Sequence, residues 1–132
     1  MNPRKLFTAF ITTVFLITGI AVAAEYQATS KAGAFEVMLT IDKKPPVVGK
    51  NNATIAIKDG SGQPVTDASV RLEFGMSAMP GMPAMNYKAD ALLSDGVYKT
   101  QLSFSMAGSW FINTRILRDK KIVTAKFTVD VQ

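Results

Sequence analysis

The chain has 132 residues, 48% of them hydrophobic, with 15 Lys and Arg against 10 Asp and Glu. It contains no histidine and no cysteine, which removes the commonest metal ligand, the commonest general base and any disulfide framework together. The positive excess is scattered without a long basic run, so nucleic acid is not an indicated partner.

The first 24 residues read as a leader. Arg4 and Lys5 precede an uncharged apolar run from Leu6, and Ala21-Val22-Ala23 supplies the small-x-small pattern of a signal-peptidase site. The run from Leu6 to Ala24 is 19 residues, which is also enough to span a bilayer if it is kept as an anchor. Either way residues 25–132 are expected outside the cytoplasm, periplasmic and soluble or tethered to the inner membrane. Without Arg4 and Lys5 the balance is 13 basic to 10 acidic residues, a net charge of +3. The remaining 108 positions suit one domain.

After a loose start over residues 25–33, segments of period-two alternation follow one another between turn signals. Phe35, Val37, Leu39 and Ile41 form the first, and Ala53, Ile55 and Ile57 the second, closed by the Asp59-Gly60-Ser61-Gly62 hairpin signal. Val70, Leu72 and Phe74 form the third, and a fourth lies near Tyr87 to Leu93. Tyr98 to Phe104, Trp110 to Ile116 and Val123 to Val129 complete seven. This pattern predicts an all-β, immunoglobulin-like antiparallel sandwich over 25–132, with Val37, Leu39, Ile55, Leu72, Leu102, Ile112 and Phe127 inward. Asp95-Gly96-Val97-Tyr98 resembles a tyrosine corner, whose hydroxyl bonds back to a connecting loop.

Enzyme constellations are missing from this pattern. Serines have no histidine to activate them, and the acid pairs Glu36/Asp42 and Asp90/Asp95 fall in strands and turns with no sign of a shared cleft. The chain is therefore expected not to be an enzyme.

Chemistry concentrates instead at Met76-Ser77-Ala78-Met79-Pro80-Gly81-Met82-Pro83-Ala84-Met85, four of the chain's seven methionines at a constant spacing of three. Pro80, Gly81 and Pro83 exclude a helix. If Pro80-Gly81 is a type II turn, Met79 and Met82 end within about 7 Å at Cα. If the segment is polyproline II, all four share a face at about 9 Å intervals. Thioethers are soft, neutral ligands that select Cu(I), and by the same logic Ag(I), over harder divalent ions. The alternative is that the methionines fill core gaps or form an adaptable apolar contact surface.

Strand parity puts the Met segment at the same end as Ser105 to Ser109. It thereby adds Met106 as a fifth candidate thioether, and Trp110 as a candidate cation–π lid or, alternatively, a core tryptophan. Lys43, Lys44 and Lys50 fall at that end too, where they disfavour a cation or steer an acidic partner.

With the Met segment, Asp95-Gly96-Val97-Tyr98 and Phe104-Ser105-Met106-Ala107-Gly108-Ser109-Trp110, the chain resembles the YtkA-like/FixH-like group of small exported or tethered bacterial sandwich domains. The resemblance runs from about residue 35 to 132 and implies, loosely, copper supply to respiratory oxidases or metal efflux. The Met segment is also similar to that of CopC-like periplasmic copper proteins; their histidines for Cu(II) have no counterpart here. Two functions are therefore expected: a periplasmic Cu(I)/Ag(I) carrier serving a metal-transport or oxidase-assembly partner, or a metal-free interaction module using the Met loop as its contact surface.

Overall fold

A computed structural model describes residues 25–132; the leader expected over 1–24 lies outside the described residues. Eight strands follow in chain order: β1 (Tyr26–Ala32), β2 (Phe35–Ile41), β3 (Gly49–Lys58), β4 (Ser69–Met76), β5 (Met85–Ser94), β6 (Val97–Phe104), β7 (Gly108–Arg118) and β8 (Lys121–Val131). All pairings are antiparallel, in the order β1-β2-β3-β6-β5-β4-β7-β8. Alternation is what forms these strands. In β7 and β8, Trp110, Ile112, Thr114 and Ile116, then Ala125, Phe127, Val129 and Val131, face the core while their neighbours are more exposed. All seven side chains expected inward are buried, each aliphatic one contributing about 1.5–3 kcal/mol over exposure. Slipping any strand by one residue would turn its apolar set to water.

The described residues form eight strands where alternation predicts seven. The extra one is β1, in the stretch expected to be loose. Its inward positions are Tyr26, Ala28, Ser30 and Ala32; the last three are too small or polar to announce a strand with Tyr26 alone, and only Ala32 is fully buried. Seven register pairs with β2 make it a strand, and Tyr26 Oη donates to the Thr128 carbonyl at 3.3 Å, bringing β1 against β8. Burial, with Asp130 nearby, pushes the Tyr26 phenol pKa up, so it remains a donor.

The sheet therefore nearly closes on itself, and β5 makes this possible by changing partner. It pairs with β4 from Met85 to Ala91, then with β6 from Leu92 to Ser94. The two halves meet through their side chains: Phe74 of β4 and Trp110 of β7 both touch the Phe104 ring of β6 edge to face.

Turn chemistry follows the sequence in three places. Asp95 and Gly96 have φ of 52° and 80°, the two left-handed positions of a type I′ hairpin turn. Pro80 and Gly81 form a turn too, described below. The Asp59–Gly62 segment forms the expected hairpin connection, a short one that folds Pro64 and Val65 back on the end of β3: Asp59 N–H donates to the Gln63 carbonyl and Val65 N–H to the Ile57 carbonyl. The Asp59 carboxylate accepts from the Ser61 hydroxyl and the Ser61 and Gln63 amides, bonds that hold the Asp59 pKa below the usual range. After the short Lys58↔Pro64 bridge the chain crosses to the other half of the sheet.

Tyr98 is buried, and its hydroxyl accepts from the Ala68 amide at 3.1 Å. The bond ties β6 to the end of that crossing, as a tyrosine corner does. Tyr98→Phe keeps the ring and removes this bond, so it is expected to cost about 0.5–1.5 kcal/mol in chemical denaturation. The Met hairpin, at the opposite end of the sheet, should keep its native amide chemical shifts.

Candidate functional site

Register fixes which loops share an end. Met76 pairs with Met85, Gly49 with Phe104, and Gly108 with Val131. The Met segment, the β6–β7 turn and the Lys-bearing β2–β3 connection thus gather at one end, as parity predicts. Asn51 is buried there and pins the β2–β3 connection: its amide donates to the Val47 and Gly49 carbonyls and its oxygen accepts from the Val47 amide. Lys43 donates to the Lys50 carbonyl at 2.9 Å, and Lys43, Lys44 and Lys50 are all exposed.

Of the two geometries open from sequence, the Met segment adopts the turn. Met79 N–H donates to the Met82 carbonyl at 3.0 Å, and Met82 N–H to the Met79 carbonyl at 2.9 Å. Pro80 takes the first corner and Gly81, at φ 79°, the second, the arrangement of a type II turn. A pair exchanging both bonds has its Cα atoms about 5.5 Å apart with both side chains on one face. The spacing of three is therefore symmetric about the turn, and the four methionines become two cross-strand pairs, Met79↔Met82 at the tip and Met76↔Met85 at the base. Between the pairs the ladder lapses, and Pro83 has no N–H to continue it.

The pairs differ in exposure. Met79 and Met82 are 46% and 36% exposed, whereas Met76 is 5% exposed and belongs to the core. Met85 and Met106 are half-buried and pack on that core. Met76 lies against the β6–β7 turn: a methyl group at Gly108 would stand 2.7 Å from its Cε. Met85 meets the same turn from the other side, its sulfur accepting from Ser105 Oγ at 3.6 Å and from Tyr87 Oη at 3.8 Å. The five candidate thioethers thus share one end of the fold, but only the tip pair stands open to solvent.

Trp110 is not a lid. It is fully buried, with the rings of Tyr87, Phe74 and Phe104 centred 6.1, 6.3 and 5.0 Å from its own. Its indole N–H donates to the Met106 carbonyl at 3.0 Å, so it holds the turn that carries Met106. The exposed aromatic at this end is Tyr87, 40% exposed and stacked on Phe74 and Trp110. Sequence alone did not single it out, because it reads as one more alternating strand residue. Among the described residues no group of three or more His, Cys, Asp or Glu is placed to hold a metal ion.

Gly75 sets the base of the hairpin. A Cβ there would run into the Met85 carbonyl, so β4 and β5 approach this closely only without a side chain. Gly75→Ala is expected to cost about 2–3 kcal/mol by overpacking and to splay the Met76↔Met85 pair. Thermal denaturation, with Met methyl shifts in NMR spectra, would check both.

The chain matches the YtkA-like family over residues 29–115. No curated protein matches it in sequence. In structure it is similar to the PmoD soluble domain from Methylocystis sp. ATCC 49242 (Rockwell), with a TM-score of 0.55 and 13% sequence identity, covering 80% of this chain and 98% of that one. At that identity the likeness is one of fold.

Proposed function

The chain belongs to the YtkA-like family, and on that footing we propose that it is an extracytoplasmic, non-enzymatic accessory protein that binds Cu(I), or Ag(I) in its place, at the Met hairpin. The observation that carries this reading is the Met79↔Met82 pair: two soft thioethers on one face of a closed turn, open to solvent. Such a pair can share one ion without reorganising the backbone. A third sulfur is available at the same end from Met85 or Met106, which pack at the surface of the core, while Met76 packs within it. A solvent-exposed, low-coordinate site suits a carrier that hands its ion to a metal-transport or oxidase-assembly protein in the membrane. The leader is read as taking the domain out of the cytoplasm, and the two halves of the sheet as the layers of an immunoglobulin-like sandwich.

A second reading has its own support. Val48 and Tyr87 are exposed near the methionines, and Met-rich apolar surfaces adapt to varied partners. Under this reading the tip is a contact surface and binds no metal.

Replacing Met79 and Met82 together with Leu conserves size and apolarity and separates the two. Anaerobic competition against a chromogenic Cu(I) chelator should show retention by the wild type and loss by the double variant. Cu(II) and Zn²⁺ should not be retained by either. Equal Cu(I) retention by both proteins, or none by either, would establish the contact-surface reading instead.

Proton competition gives a further expectation. Thioethers carry no proton to lose, so Cu(I) affinity should stay level between pH 5.5 and 8, unlike a thiolate or imidazole site. Peroxide oxidation of Met79 and Met82 to sulfoxides should abolish retention.

A further inference from the structure

The half-buried sulfur of Met85 accepts two hydrogen bonds, unlike the thioethers of the exposed tip pair. Ser105 Oγ and Tyr87 Oη both donate to it, at 3.6 and 3.8 Å. The donors come from separate parts of the chain. Ser105 lies in the β6–β7 turn, which Trp110 holds through the Met106 carbonyl. Tyr87 lies on β5, its ring stacked on both Phe74 and Trp110. The aromatic cluster thus determines where both hydroxyls stand.

A hydrogen bond to a histidine ligand helps it because the bond falls on the nitrogen the metal does not use. A thioether has no second atom. Its two lone pairs are on the one sulfur, and each accepted O–H occupies the electron density that a soft cation needs. We propose that Tyr87 and Ser105 are positioning residues that mask the Met85 thioether, making it a latent ligand that joins the tip pair only when a hydroxyl turns away. Both hydroxyls belong to exposed residues and can rebond to water, so the mask is weak and reversible. A carrier built this way holds its ion with the tip pair alone and gains a third sulfur when a partner displaces a hydroxyl. This inference rests on the Cu(I) reading of the hairpin and assigns roles to residues that reading leaves unused.

The test is a cycle on the full chain. Tyr87→Phe keeps the stacked ring and Ser105→Ala keeps the turn; each is made singly and together, with Met85 present and in a Met85→Leu background. Anaerobic chelator competition is expected to show Cu(I) affinity rising about twofold for each single change and about fivefold for both, the low end for freeing an acceptor from hydrogen bonds. The gain should vanish in the Met85→Leu background, and X-ray absorption should count one more sulfur on the copper in the double variant. A measurement without metal runs in parallel. Dilute peroxide transfers one oxygen atom to a free sulfur lone pair, giving the sulfoxide and water, so Met85 oxidation, followed by mass spectrometry of its peptide, should be about fivefold faster in the double variant. Unchanged or weaker Cu(I) binding, or a gain that persists without Met85, would overturn the latent-ligand assignment while the tip pair still bound copper. Accelerated oxidation with no copper bound by any variant would overturn the Cu(I) reading and leave only the mask. Equal oxidation rates in wild type and double variant would overturn the mask itself.

Discussion

The indole of Trp110 holds together the end of the fold on which every functional argument depends. It is fully buried, it takes the edge of Phe104 and the faces of Phe74 and Tyr87, and its N–H bonds the Met106 carbonyl. Those contacts join β4, β5, β6 and β7, which lie in both halves of the sheet. Without disulfides, cohesion here comes from packed aromatic area and one buried donor satisfied by a turn carbonyl. The β6–β7 turn is therefore a fixed wall, against which Met76 and Met85 both rest.

From that wall the chemistry grades outward. Met76 contributes to the core, Met85 and Met106 lie at its surface, and Met79 and Met82 stand in solvent. A uniform spacing in the chain thus becomes unequal access in space. Antiparallel pairing about a two-residue turn matches residues whose numbers share one sum, so the spacing of three nests one pair inside the other. Pro83 and Gly75 sharpen the division: the first interrupts the ladder between the pairs, and the second lets the base close tightly.

The β5 crossing is the other determinant. Were β5 paired with β4 throughout, the sheet would fall into two separate halves. Because it passes to β6 at Leu92, the strands form a nearly closed set with one order. The crossing also leaves the Met85 end of β5 unpaired on the β6 side, where Tyr87 of β5 itself and Ser105 of the β6–β7 turn both donate to the Met85 sulfur.

Much of this was legible in the residues themselves. Alternation located seven of the eight strands and all seven inward side chains tested, because side-chain direction along a strand is a property of the local backbone. Asp95-Gly96 declared its turn because φ limits act within two residues, Pro80-Gly81 left a turn and polyproline II both open, and parity brought the Met segment and the Met106 turn to one end. Tertiary structure decided what depends on distant partners. β1 is a strand through its pairing with β2 and the Tyr26 bond to Thr128, not through its own weak alternation. Asp59–Gly62 makes its hairpin only with Pro64 and Val65, and β3 takes its long-range partners from β2 and β6. Trp110 sits in the core rather than over a site, and two hydroxyls near the Met85 sulfur lie 2 and 20 residues from it in the chain. Turn and strand preferences arise from a few neighbouring dihedrals. Burial and side-chain contact arise from packing summed over the whole sheet, which no short stretch of sequence contains.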